Sequence, residues 1–149
     1  MEIKNRKVNM KGFTLIELLA VIIILAIIAL IAVPTIMTII DNSKKSAAAD
    51  STYGVISAAE LWYSNYLLQS GGTSFSSNVT FTCGTGGCEA TVEGEKQTLS
   101  IKGEAPTGGT VTVQSDGKVI TASELKFNNF SCGYSESAKA TCEKDVENK

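Results

Sequence analysis

From Leu18 to Ile40 the chain carries no charged residue and reads LLAVIIILAIIALIAVPTIMTII. At a helical rise of about 1.5 Å per residue, such a run is long enough to cross a hydrocarbon layer about 30 Å thick. From Asp41 onward the sequence is rich in Ser, Thr and Gly and reads as a small water-soluble domain. The two parts cannot share one core, because the first asks for lipid or its equivalent and the second for water.

The flanks of the run set its direction. Lys4, Arg6, Lys7 and Lys11 precede it against the single acid Glu2. Such a basic cluster stays on the cytoplasmic side, so the rest of the chain is expected outside the membrane. A cleaved secretory signal is the competing reading, but its apolar region spans only about 7–15 residues. Here no small-residue cleavage site closes the run, which passes through Val33-Pro34-Thr35 and stays apolar. A retained, single-pass anchor is therefore expected.

Beyond Ile40 there are nine Lys and thirteen Asp or Glu, a net charge of 9 − 13 = −4 on the outer part. Nonspecific nucleic-acid binding needs basic surface to displace counterions, so no nucleic-acid partner is expected. The chain has no histidine, the commonest general base and metal ligand. No glycine loop of phosphate-binding form follows a strand. An enzyme is not expected, nor a cofactor or bound metal.

Cys83, Cys88, Cys132 and Cys142 all lie in the outer part. An even number on the oxidising side of a membrane predicts two disulfides. A zinc site would call for tighter Cys pairs than these spacings provide. Three connectivities are open. Sequential pairing, Cys83 with Cys88 and Cys132 with Cys142, is the expectation, since the first pair brackets a glycine-rich turn and the second closes a C-terminal loop.

Helix is expected to continue past Ile40 to about Ser70. Val55, Ala59, Trp62 and Tyr66 recur at spacings of four, three and four, with Ile56, Tyr63 and Leu67 beside them, one broad apolar stripe at the helical period. Gly71-Gly72 ends it. Alternation then predicts strands at Val79–Cys83, Cys88–Val92, Thr98–Lys102, Thr110–Gln114 and Lys118–Thr121, and a short one within Phe127–Cys132. Gly84–Gly87 reads as a four-residue loop and Ser115-Asp116-Gly117 as a hairpin turn. About five antiparallel strands against one helix make an α+β domain, with a charged, frayed tail after Cys142. Trp62, Tyr63 and Tyr66 could form a stacking platform, but their helical spacing assigns them to the core. The sequons at Asn78 and Asn129 are short enough to occur by chance.

Glu17 is the only charge between Phe13 and Ile40. A carboxylate at the end of a membrane helix is costly and points to function, although snorkelling to the headgroups is the bland alternative. Its surroundings, Lys11-Gly12-Phe13-Thr14-Leu15-Ile16-Glu17-Leu18-Leu19, closely resemble the N-terminal signature of type IV prepilins and type II secretion pseudopilins. In that family a basic leader ends in glycine, a prepilin peptidase cuts after it, and the new first residue, usually phenylalanine, is N-methylated. The resemblance places cleavage between Gly12 and Phe13, methylation on Phe13 and the family glutamate at Glu17. It also matches Pro34 to the family proline, where a helix kink is implied. It covers roughly residues 11 to 40; a leader starting at Met10 instead of Met1 leaves the mature chain unchanged.

The resemblance implies a pilin-like fold and a division into a cleaved leader (1–12), a membrane-spanning and filament-core helix (13–40), an amphipathic continuation (41–71) and an extracellular head (72–149). It implies polymerisation through the N-terminal helices, with the peptidase and N-methylase, an assembly platform and motor, and membrane lipid before assembly as partners. The new amine on Phe13, with an ordinary pKa near 8, would pair with Glu17 of a neighbouring subunit and set register. A minor pilin or a membrane-anchored binding module capturing a ligand or DNA is the alternative.

Overall fold

The computed structural model describes residues 12–145. The expected leader, apart from Gly12, and the alternative start at Met10 lie outside them. Helix α1 spans Leu15–Gln69, and the chain divides into two compact units at the Ile40/Asp41 boundary. In the first unit the apolar side chains find no protein to pack on: Ile22, Ile24 and Ile28 are all more than half exposed. This is the one described helix long and apolar enough to cross a membrane.

The second unit is an α+β head. Seven strands follow the helix: β1 (Val79–Gly84), β2 (Gly87–Val92), β3 (Glu95–Thr98), β4 (Thr110–Val113), β5 (Val119–Phe127), β6 (Phe130–Ser135) and β7 (Ala138–Lys144). They form one antiparallel sheet in the order β3-β2-β1-β4-β5-β6-β7. Alternation puts Val79, Phe81, Cys83, Val111, Val113, Leu125 and Phe127 on the covered face. Thr80, Thr82 and Thr121 face water, the pattern of a sheet with one solvated side. From the helix, Ala48, Val55, Ile56, Ala58, Ala59 and Trp62 complete the core.

Trp62 packs edge-on against Phe81 at 4.8 Å between ring centres, with Tyr66 and Phe75 beside it, so Trp62 is core and Tyr63 and Tyr66 pack against it. Three aromatics of the helix also tie down separate parts of the sheet. Trp62 Nε1 donates to Gln97 Oε1 on β3 (3.2 Å), and the Tyr63 hydroxyl donates to the Ser115 carbonyl in the β4–β5 turn (2.6 Å). The Tyr53 hydroxyl accepts from the Ala140 N–H on edge strand β7 (3.1 Å). Gly117 lies so close under the Tyr63 ring that a side chain there would collide with it.

The sheet has seven strands where the sequence reading expects about five. The turn after β2 is made by Glu93 and Gly94, both at positive φ. Pairing therefore resumes at Glu95, three residues before the expected Thr98, and stops at Thr98 so that the chain can return to β4, on the far side of β1. The stretch Phe127–Cys132 is a corner: Asn128 takes a left-handed conformation (φ 51°), ending β5 at Phe127 and starting β6 at Phe130. The expected frayed tail is in its first part the end of β7, an edge strand whose charges face water and suppress edge-to-edge pairing. The Gly84–Gly87 loop narrows to Thr85-Gly86, because Gly84 pairs with Gly87. At the helix end, Gly71 and Gly72 adopt positive φ, and the Gly72 N–H reaches the Leu67 carbonyl at 2.8 Å, a capped terminus.

Candidate processing and assembly site

Gly12, Phe13 and Thr14 are non-helical and exposed, and α1 begins one residue later. Thr14 is the N-cap: its carbonyl accepts the first helical hydrogen bond, from the Leu18 N–H at 3.2 Å. Its hydroxyl accepts from the Glu17 N–H at 3.3 Å, and Glu17 Oε2 accepts from the Thr14 N–H at 2.9 Å. This is the reciprocal capping box, two otherwise orphaned donors satisfied by two side chains. The Thr14 hydroxyl also donates to the same carboxylate oxygen at 2.8 Å. The lone acid of the apolar segment therefore has a local task as well as the one the resemblance implies.

Thr14 is the residue that sequence reasoning passed over. The signal was present: a threonine three residues before a glutamate, at the threshold of an apolar run, marks a helix start. The box fixes where helix begins and leaves the Gly12–Phe13 peptide outside it. Phe13 is 86% exposed, and Gly12 has open space where a side chain would stand.

Further along, α1 runs through Pro34 without interruption. Proline has no N–H, so the Leu30 carbonyl loses its helical partner. The Thr38 hydroxyl donates back to the Pro34 carbonyl at 3.2 Å. The four cysteines are far from this segment in sequence. The structure joins Cys83 to Cys88 and Cys132 to Cys142, each pair directly opposite across neighbouring strands. Cys83 sends its N–H to Gly109, towards β4, so the Cys83–Cys88 pair is of the non-hydrogen-bonded type, in which side chains stand closest. No group of three or more metal-ligating side chains occurs among the described residues.

The family model for the prokaryotic N-terminal methylation motif matches residues 7–33. Residues 7–33 thus carry the N-terminal methylation motif, the signature of type IV pilin and pseudopilin precursors. That signature and the apolar helix fit a membrane-anchored precursor that crosses once. Comparison with curated proteins and with solved structures gives no match in either set.

Proposed function

We propose that the chain is a type IV pilin-like structural subunit. A prepilin peptidase cuts it after Gly12, the Phe13 amine is N-methylated, and the mature chain polymerises through its N-terminal helices into a surface pilus or pseudopilus. Residues 13–40 cross the membrane before assembly and line the fibre afterwards, residues 41–71 support the head, and residues 72–149 face the exterior. An assembly platform and motor perform the extraction.

The observation that carries this reading is Glu17, the lone acid of the apolar segment, inside the matched motif and about one helical turn beyond the exposed Gly12–Phe13 peptide bond. Its Oε2 serves the capping box, and a carboxylate accepts several hydrogen bonds, leaving capacity for the amine of a neighbouring subunit. Desolvation offsets much of the Coulomb gain in such a pair, so its main effect is register: a misaligned subunit leaves two charges unpaired in an apolar core. The sheet edges argue against polymerisation by strand addition. β3 carries Glu95 and Lys96, β7 carries Lys139, Glu143 and Lys144, and charged edges resist pairing.

Intact mass and N-terminal sequencing of the surface form test the reading. The expected product begins at Phe13, carries one added methyl and lacks the four hydrogens of two disulfides. A surface form that still begins at Met1 or Met10 overturns it. Abundance in sheared fibres separates a major subunit from a minor one.

A further inference from the structure

A cavity of about 460 Å³ opens in the head unit between the first helical turns after Asp41 and the β5–β6 turn. Its floor is apolar, with Ala48, Phe127 and Phe130 buried there. Its rim is charged. Lys144 Nζ lies 2.8 Å from Asp41 Oδ2, so those two charges neutralise one another. Lys44 and Glu104 also stand on the rim. Among the described residues the ion pairs are Lys96–Glu89, Lys118–Glu136 and Lys144–Asp41; Lys44 and Glu104 are in none of them, though the Lys44 charge also acts on Asp41. Asn128 Nδ2 donates to Glu104 Oε1 at 2.8 Å, which orients the carboxylate without cancelling its charge.

The rim thus carries two cations, Lys44 and Lys144, and two anions, Asp41 and Glu104, around an apolar floor, a balance that complements a zwitterion. They do not favour a simple anion or cation, because either would meet a like charge on the rim. The place in the chain narrows the choice further. Asp41 directly follows the uncharged run, and Lys44 comes three residues later, a rise of about 5 Å along a helix. That is the depth at which headgroups begin beyond a hydrocarbon core.

We propose that this cavity holds the zwitterionic headgroup of an aminophospholipid while the chain is membrane-anchored. Lys44 takes the phosphate and the Glu104 carboxylate accepts from the primary ammonium. The proposal rests on the membrane-anchored reading. It adds a lipid contact that extraction into a fibre has to break.

The test uses the full chain in nanodiscs made with phosphatidylethanolamine mixed in equal parts with phosphatidylcholine or phosphatidylglycerol, with retained lipid counted by native mass spectrometry. Phosphatidylcholine keeps the phosphate but has no ammonium N–H to donate, and phosphatidylglycerol lacks the cation. The expected result is about a five-fold enrichment of phosphatidylethanolamine over either, the size of one interfacial charge contact. Lys44→Gln and Glu104→Gln should each abolish the enrichment. Lys45→Gln should leave it, since Lys45 lines a different cavity. Equal retention of the lipids, or preference for phosphatidylglycerol, overturns the proposal, as does soluble phosphoethanolamine binding the detergent-solubilised chain as tightly as the lipid does. A chain that fails to enter the bilayer removes the anchored reading as well; insertion without headgroup preference removes only this inference.

Discussion

Helix α1 is one element by hydrogen bonding and two by solvent. Before Ile40 its side chains are apolar all round and exposed, with Leu30 80% accessible. After Asp41 the apolar positions narrow to a stripe, and Val55 and Ala59 are completely buried against the sheet. A helix apolar on every side belongs in lipid or among other helices, whereas a striped one belongs on a domain surface. Helix propensity says nothing about which is which. The width of the apolar face does, and so does the one acid placed where no water is expected.

The largest expected effect lies in the first half and leaves the second untouched. Glu17→Gln should lower fibre yield by at least about a hundred-fold, the size expected when one partner of a buried charge pair is removed. Gln serves at the third helical position of a capping box as Glu does, so the helix start and leader cleavage should persist. Fibre yield by shearing, read beside the N-terminal sequence of the membrane form, checks this. Undiminished fibres would remove Glu17 from assembly.

The converse substitution acts on the head alone. Trp62→Ala removes the ring that contacts Tyr66, Phe75 and Phe81 and leaves Gln97 without its indole donor. A loss of about 3–5 kcal/mol is expected, the range for large aromatic truncations in cores. Ile28→Ala, at a residue 56% exposed, should leave head stability unchanged. Denaturant unfolding of both variants in detergent tests the division between the halves. Equal destabilisation would mean that the helix halves are one folding unit.

A smaller effect separates the two disulfides. In the chain-entropy model, cross-links closing short loops contribute about 2–3 kcal/mol, more for the longer loop. Their sequence separations are 5 for Cys83–Cys88 and 10 for Cys132–Cys142. Replacing Cys132 and Cys142 together by Ala should therefore lower the unfolding midpoint more than replacing Cys83 and Cys88. Neither change should alter bilayer insertion of the first half.

The same contrast explains what could be read from sequence. The uncharged run, Glu17, the Gly71-Gly72 stop and the alternation of Val79–Cys83 are local signals, each needing only a few neighbouring residues. The capping box is local too, a threonine three residues before Glu17. Strand β7 was illegible because it is an edge: Lys139, Glu143 and Lys144 keep it from aggregating and at the same time hide its alternation. The Asn128–Glu104 and Lys144–Asp41 contacts lie 24 and 103 residues apart in sequence. They depend on how the sheet is ordered, which no local pattern states.

The contact between Lys144 and Asp41 gives the smallest and sharpest test, because it joins the last strand to the first turn of the head's helix. The hydrogen bond from Lys144, then its charge, and to a lesser degree the charge of Lys44 hold the Asp41 carboxyl below its ordinary range. A folded-state pKa below the unfolded value means that the contribution is present above the unfolded carboxyl pKa of about 3.9. It is lost as pH falls through the lower folded value, where both states bind the proton. Both side chains are at least half exposed, so the effect is slight and screened by salt. Asp41→Asn should flatten the acid limb of the head's stability profile below about pH 4 and leave neutral stability nearly unchanged. Lys144→Gln should produce most of that flattening, the Lys44 charge keeping the rest, and the double variant no more than Asp41→Asn alone. Additive losses in the double variant would show that the two residues act separately, and the C-terminal strand would then be held to the helix by Tyr53 and the core alone.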